Sequence, residues 1–148
     1  MSRHASDSSE QQAAEQLLLA GLNEHFGLSL MPTKVTLEQG VTVNLDGMDR
    51  DRRAFCEIYS RIGELKPAQK HKVAGDILKM ALLERTLGGT WNKYLCFADD
   101  TASKSVLGRK WLATATRQMN IEIVVLPLPD ATRSAILQAQ ERQRMVNP

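Results

Sequence analysis

Two acidic residues, Asp46 in VTVNLDGMD and Glu57 in RAFCEIYSRIG, sit inside otherwise strand-like runs, and a lysine-rich segment carrying Lys66, Gln69, Lys70 and Lys72 follows them. Two carboxylates brought face to face would hold a hard divalent cation, Mg²⁺ or Mn²⁺, which takes oxygen ligands: one or two carboxylates together with water and a substrate phosphate. Such an ion generates a nucleophilic water and stabilises charge on the attacked phosphate. The candidate chemistry is therefore phosphodiester hydrolysis. Asp46 and Glu57 would be the metal ligands, one of Lys66, Lys70 and Lys72 would assist the water or the leaving charge, and Gln69 would position the phosphate or the water.

This reading sets a condition on the backbone. In an antiparallel pair, positions 46 and 57 face each other only if the turn is centred between Asp51 and Arg52, within the polar stretch MDRDRR. Asp46-Gly47 is itself a two-residue hairpin signal, and in that register Asp46 is only a turn residue. Glu57 has an alternative as a half-exposed strand residue paired with Arg61 on the same face. For the lysines the alternative is a solvated basic face with a Lys72–Asp76 pair one helical turn apart, worth about 0.2–0.5 kcal/mol. Against it, lysines at a helix start oppose the helix dipole unless an anion such as a phosphate lies near. Gln69, Val73 and Asp76 form one stripe of that helix, with Lys72 beside it, and Asp76 would anchor a lysine or arginine.

The elements that must position these residues read in order as follows. Leu18, Leu22 and Phe26 give a helix over about 11–26, stopped by Gly27, with residues 1–10 expected to be a mobile, disordered N-terminus. LSLMPTKVTLE and VTVNLDGMD are two strands joined at Gln39-Gly40, and RAFCEIYSRIG alternates, with Phe55, Glu57, Tyr59 and Arg61 on one side and Cys56, Ile58 and Ser60 on the other. A helix starts at Pro67 and ends before Gly88-Gly89. NKYLCFADD predicts a buried strand, TASKSVLGRKWLATATRQM one amphipathic helix, IEIVVLPLP a strand stopped by Pro127 and Pro129, and Asp130–Met145 a last helix on the core or on a second subunit. The fold class is α/β: an antiparallel three-strand meander continued by parallel strands into one mixed sheet, with helices on both faces. Residues 11–148 are expected to form a single domain.

Composition narrows the rest. A net charge of +2 is too small to argue for nucleic acid, but Arg50, Arg52, Arg53, Arg61, Lys66, Lys70, Lys72 and Lys79 against Asp51, Glu57, Glu64 and Asp76 give a local +4. Cys56 and Cys96 read as free buried thiols of a reducing compartment, and with no signal peptide and no membrane-length run the expected location is cytoplasmic. Trp91 and Trp111 read as packing residues, and the histidines lack metal spacing.

Helix, three strands, helix, strand, with Asp46 and Glu57 on the second and third strands, resembles the restriction-endonuclease-like PD-(D/E)XK superfamily over roughly residues 11–98. The segment EIYSRIGELKPAQKHKVAGDILK is also similar to one found in a group of small bacterial proteins of unassigned activity. The superfamily resemblance implies a Mg²⁺- or Mn²⁺-dependent nuclease acting on nucleic acid, DNA ranked ahead of RNA. Its motif has a lysine two residues after the second acid; Tyr59 stands there, and a lysine moved to the following helix, Lys66, Lys70 or Lys72, would replace it. Glu64-Leu65-Lys66 also spells E-x-K near the strand's end. The alternative is a catalytically inactive nuclease-like fold that binds nucleic acid through the helix start and Arg50, Arg52 and Arg53, or serves as an assembly module. A homodimer through the last helix is a further possibility, and no membrane partner is expected.

Overall fold

The turn between the second and third strands decides which side chains can meet. In the computed structural model, which describes residues 5–146, strand β2 (Thr42–Asp49) pairs antiparallel with β3 (Ala54–Tyr59) through Gly47↔Cys56, Met48↔Phe55 and Asp49↔Ala54. The turn is therefore centred between Asp51 and Arg52, and the next step of the register sets Asp46 opposite Glu57. Asp46-Gly47 lies inside β2 and makes no hairpin.

Local chemistry explains this choice. Asp49 accepts the backbone N–H groups of Ser29 (2.8 Å) and Arg52 (3.1 Å), and Arg53 takes the left-handed conformation that closes the turn. Arg52 donates to the Gly27 carbonyl at 2.6 Å; Arg53 donates to the Gly88 and Thr90 carbonyls and lies over the Trp91 ring at 4.7 Å. These arginines, expected on phosphates in the binding-module reading, fasten the turn instead, at the end of β3 opposite its Tyr59 terminus.

Strand β1 (Met31–Thr36) lies antiparallel on the other side of β2, while β4 (Asn92–Phe97) and β5 (Ile121–Val125) extend the sheet parallel to β3, in the order β1-β2-β3-β4-β5. The β1–β2 ladder is irregular: Thr33 pairs with Leu45 but Met31 with Met48, so Asp46 and Gly47 together stand opposite Pro32. Pro32 has no N–H to donate, so the ladder is already broken where this bulge forms. Leu45 and Met48 both enter the core cluster beneath the second helix, whereas a Cβ built on Gly47 would point the other way and meet Cys56 Sγ and Leu19 Cδ1, each at 2.8 Å, and Leu30 Cβ at 3.0 Å. The bulge thus sets Asp46 in register with Glu57 rather than continuing the alternation from Leu45. Gly47→Ala is expected to destabilise the fold by about 1–3 kcal/mol through overpacking, measured by urea denaturation; a neutral result would mean that this face has slack.

Helix α1 (Ala5–Phe26) covers one face with Ala14, Leu18 and Leu22 against Cys56, Ile58, Tyr94 and Cys96. It begins earlier than the apolar periodicity predicts, because its first turns are polar and their helicity leaves no trace in an apolar stripe; residues 5–10, expected disordered, are helical. Helix α5 (Asp130–Val146) packs on the same face through Ile136, with Arg142 donating to Glu10 at 3.0 Å, so within this chain it lies against α1. Helix α2 (Pro67–Leu87) covers the opposite face with Val73, Ile77, Met80 and Leu83. The single amphipathic helix expected after β4 is broken into α3 (Asp100–Ser103), a 3₁₀ turn at Lys104–Val106 and α4 (Trp111–Gln118), with Gly108 at a positive φ of 92° between them. Trp91 is buried as expected, but Trp111 is 73% exposed and packs in no core. Cys56 and Cys96 are free and buried, and burial pushes the Cys96 thiol up to about 12 and Cys56 higher still, so neither is a reactive thiolate. Among the described residues no helix is long and apolar enough to cross a membrane.

Candidate active site

At the C-terminal end of β3 the backbone opens into a cleft of about 190 Å³, lined among others by Glu15 of α1, Asp46 of β2, Tyr59 of β3, Gln69 and Lys72 of α2, and Gln140 of α5. The loop leaving β3 is held down from both sides. Gln140 exchanges two hydrogen bonds with Ile62, each 3.0 Å, and Gly63 donates to Asp99 at 2.8 Å. The cleft thus has a rigid rim, made by residues far apart in the sequence.

Strand alternation sends Phe55, Glu57 and Tyr59 toward α2, and there Glu57 is 2% exposed. Arg61, its expected partner in the half-exposed alternative, turns instead to the Glu64 carbonyl (3.4 Å). Glu57 meets Lys79, whose Nζ lies 2.8 Å from Oε1 and 3.4 Å from Asp76 Oδ1 and donates to the Asn44 carbonyl at 2.7 Å. Oε1 is fully buried, and the Lys79 ammonium against it makes an ion pair shut away from water. Asp46 binds the end of the same strand: its Oδ2 accepts the Ile58 N–H at 2.8 Å.

Burial raises the Glu57 pKa to about 8; the Asp46 carboxyl adds to the rise through its charge and a shared hydrogen bond, and Lys79 draws it back only in part. Glu57 therefore holds its proton at neutral pH. Below about pH 4.5 the folded and unfolded chains are both protonated here and nothing is lost. Between about 4.5 and 8 the unfolded chain ionises while the folded one does not, so stability falls as pH rises through that window. Chelator-treated protein is expected to show this decline in denaturation free energy, and Glu57→Gln, which cannot ionise, to level it; parallel curves for the two would contradict the burial-driven shift.

Asp76 organises the remaining cations. Its Oδ2 accepts the Tyr59 hydroxyl at 2.7 Å and Lys72 at 2.9 Å, and the Lys72 ammonium lies 5.2 Å above the Tyr59 ring. Burial alone would lower the Lys72 pKa, but Asp76 overrides it and holds the ammonium charged.

The sheet and α2 bring together Asp46, Glu57, Tyr59 and Lys72. Lys66 and Lys70 stay outside this group. Lys66 is the exposed residue before α2, its N–H accepted by Gln69 Oε1 at 2.8 Å, and Lys70 reaches only exposed Glu64, at 4.0 Å. Gln69 borders the cleft, with its carbonyl engaged in that cap. Lys79, the lysine nearest Glu57, was not among the candidates from sequence. The signal was available in the spacing: Lys72, Asp76 and Lys79 follow one another at intervals of four and three residues, a single stripe of α2 on the side that covers β3.

Among the described residues no group of three or more His, Cys, Asp and Glu is arranged to hold a metal ion. Mg²⁺ does not require one, since it keeps several waters and is bound by one or two carboxylates with substrate phosphate. Asp46 and Glu57 suit such an ion in chemistry: both are hard oxygen donors and they are adjacent, with the Lys79 ammonium now holding Glu57 Oε1. Compared with protein-family models, curated proteins and solved structures, the chain matches none.

Proposed function

We propose that the protein is a divalent-metal-dependent nuclease of restriction-endonuclease-like architecture. The observation that carries this reading is the pairing of buried Glu57 with Asp46, which lines the cleft, together with a lysine ammonium 2.8 Å from Glu57. The arrangement of helix, three strands, helix and strand around these residues supports it.

Asp46 and Glu57 would hold the ion, which supplies Lewis acidity to a phosphate oxygen and lowers the pKa of a bound water. Glu57 would release its proton on engaging the ion, because a ligating carboxylate must be ionised. Lys79, tied to Asp76, would offer positive charge to the reacting phosphate. Lys72 stays protonated through Asp76 and contributes attraction for the phosphate, not base catalysis. Tyr59, in the position where the superfamily has its lysine, donates to Asp76 and so helps to hold both lysines. Nicking of a nucleic-acid substrate with Mg²⁺ or Mn²⁺, and its loss in Glu57→Gln and Asp46→Asn, is the test.

A second reading, a nuclease-like fold that binds without cutting, draws on the Lys79–Glu57 contact, which gives Glu57 a cation of its own. It would be recognised by salt-dependent binding that both acid substitutions leave intact, with no product at any metal concentration.

A further inference from the structure

The segment Thr101–Ile121 contains Lys104, Arg109, Lys110 and Arg117 and no acidic residue. The break in the helix at Gly108 gives this composition a shape. Lys104, Leu107, Arg109, Lys110 and Trp111 are all exposed, the indole by 73%, and among the described residues none of Lys104, Arg109 and Lys110 forms an ion pair with a carboxylate. Only Arg117 is engaged, donating to the Gly108 carbonyl at 2.8 Å and so bracing the loop. A large aromatic face left in water among unpaired cations has no structural explanation: the core beneath is closed by Val106 and Leu112, which are buried.

Topology sets this loop at the same end of the sheet as the cleft. β3 and β4 are parallel with Tyr59 opposite Phe97, so the chain leaves both strands at the same end of the sheet. Helix α4 ends at Gln118, next to the start of β5, and its eight residues span about 12 Å. Its first residue, Trp111, therefore lies toward the end where the cleft opens. α2 begins at that same end, on the same face of the sheet, and touches α4. Lys66 and Lys70 of the α2 start and the Lys104–Trp111 loop thus share one end and one face of the sheet.

We infer that the Lys104–Trp111 loop is a binding surface for single-stranded nucleic acid, with an unpaired base stacked on the Trp111 indole and the flanking phosphates on Lys104, Arg109 and Lys110. The inference deepens the nuclease reading by naming its substrate class. The choice of a single strand over a duplex rests on the indole: stacking needs a base whose face is free, and base–aromatic stacking tolerates any sequence. The cations supply the salt-dependent attraction to the backbone.

The test is binding of fluorescein-labelled oligothymidine, oligouridine and a duplex of equal length to the full chain in EDTA, where no cutting occurs. Both single strands are expected to bind more tightly than the duplex, and a difference between them tells DNA from RNA. Trp111→Ala is expected to weaken single-strand binding about 10-fold, and Trp111→Phe to retain most of it, because the aromatic face is kept. Lys104→Gln/Arg109→Gln/Lys110→Gln is expected to flatten the salt dependence by about two in log–log slope. The exposure of these residues leaves the fold unaffected, which an unchanged melting curve would verify. Tighter binding of the duplex, or Trp111→Ala binding like the wild type, overturns the inference. Failure of the nuclease reading would look different: the strand would bind, Trp111→Ala would weaken it, and added Mg²⁺ or Mn²⁺ would give no product.

Discussion

Glu57→Gln and Asp46→Asn are each expected to lower metal-dependent nicking by roughly 10³-fold, with product formation followed on a labelled strand at saturating Mn²⁺. The size follows from the several kcal/mol of charge stabilisation that a bound cation provides, at about 1.4 kcal/mol per tenfold in rate. Gln and Asn keep the volume and one acceptor oxygen but lose the charge that holds a hard cation, so a fall of this size in protein that stays folded at the assay temperature isolates ligation from folding. The lysines give a finer comparison. Lys79→Met is expected to cost about 10²-fold, the usual effect of removing one positioned donor, and Lys72→Met less, since Lys72 lies over Tyr59 and touches Asp76 but not Glu57. A larger loss from Lys72 than from Lys79 would reverse that assignment, and equal activity in Glu57→Gln and wild type would show the nicking to come from elsewhere.

Asp76→Ala is expected to be the most destabilising substitution in the cleft, by about 3 kcal/mol, which for a chain of this size is a fall in Tm of roughly 6–12 °C. Asp76 is 6% exposed and serves three partners at once: the Tyr59 hydroxyl, Lys72 and Lys79. Its loss leaves a buried hydroxyl without its acceptor and removes the charge that balances two neighbouring ammoniums. Tyr59→Phe, which removes one hydrogen bond and keeps the stacking on Phe97 at 4.8 Å, is expected to cost only about 1 kcal/mol. Calorimetry would decide between a shared hub and a set of independent surface contacts; a cost below about 1 kcal/mol for Asp76→Ala would mean that solvent screens the cluster.

The sheet was legible wherever alternation and turn chemistry agreed. The period-two pattern of Phe55 to Ser60 identified the faces of β3, and the requirement that Asp46 face Glu57 identified the turn at Asp51-Arg52. Pro67 and Gly88 bounded α2 for the reasons that proline and glycine usually bound helices. What the sequence concealed lay in three kinds of interaction. The true partner of Glu57, Lys79, is about two turns further along α2 than Lys72, the last of the lysines near its start. The arginines of the β2–β3 turn looked like a phosphate-binding cluster, yet carbonyls of two neighbouring loops claim Arg52 and Arg53. The helix after β4 breaks at Gly108, which a pattern of apolar residues passed over because Val106 and Leu112 are buried on either side of it. Charge, unlike hydrophobicity, does not announce its partner by periodicity.

The irregularity in β2 bears on how this chain tolerates changes in length. Removing one residue between Leu45 and Met48 would remove the bulge, leave Pro32 as the one gap in the ladder with β1, and return the acid to the alternation that the bulge interrupts. A chain with a single deletion there would keep the sheet and lack a paired acid. Insertions and deletions at this position, more than substitutions, would separate relatives that share the fold from those that share the site.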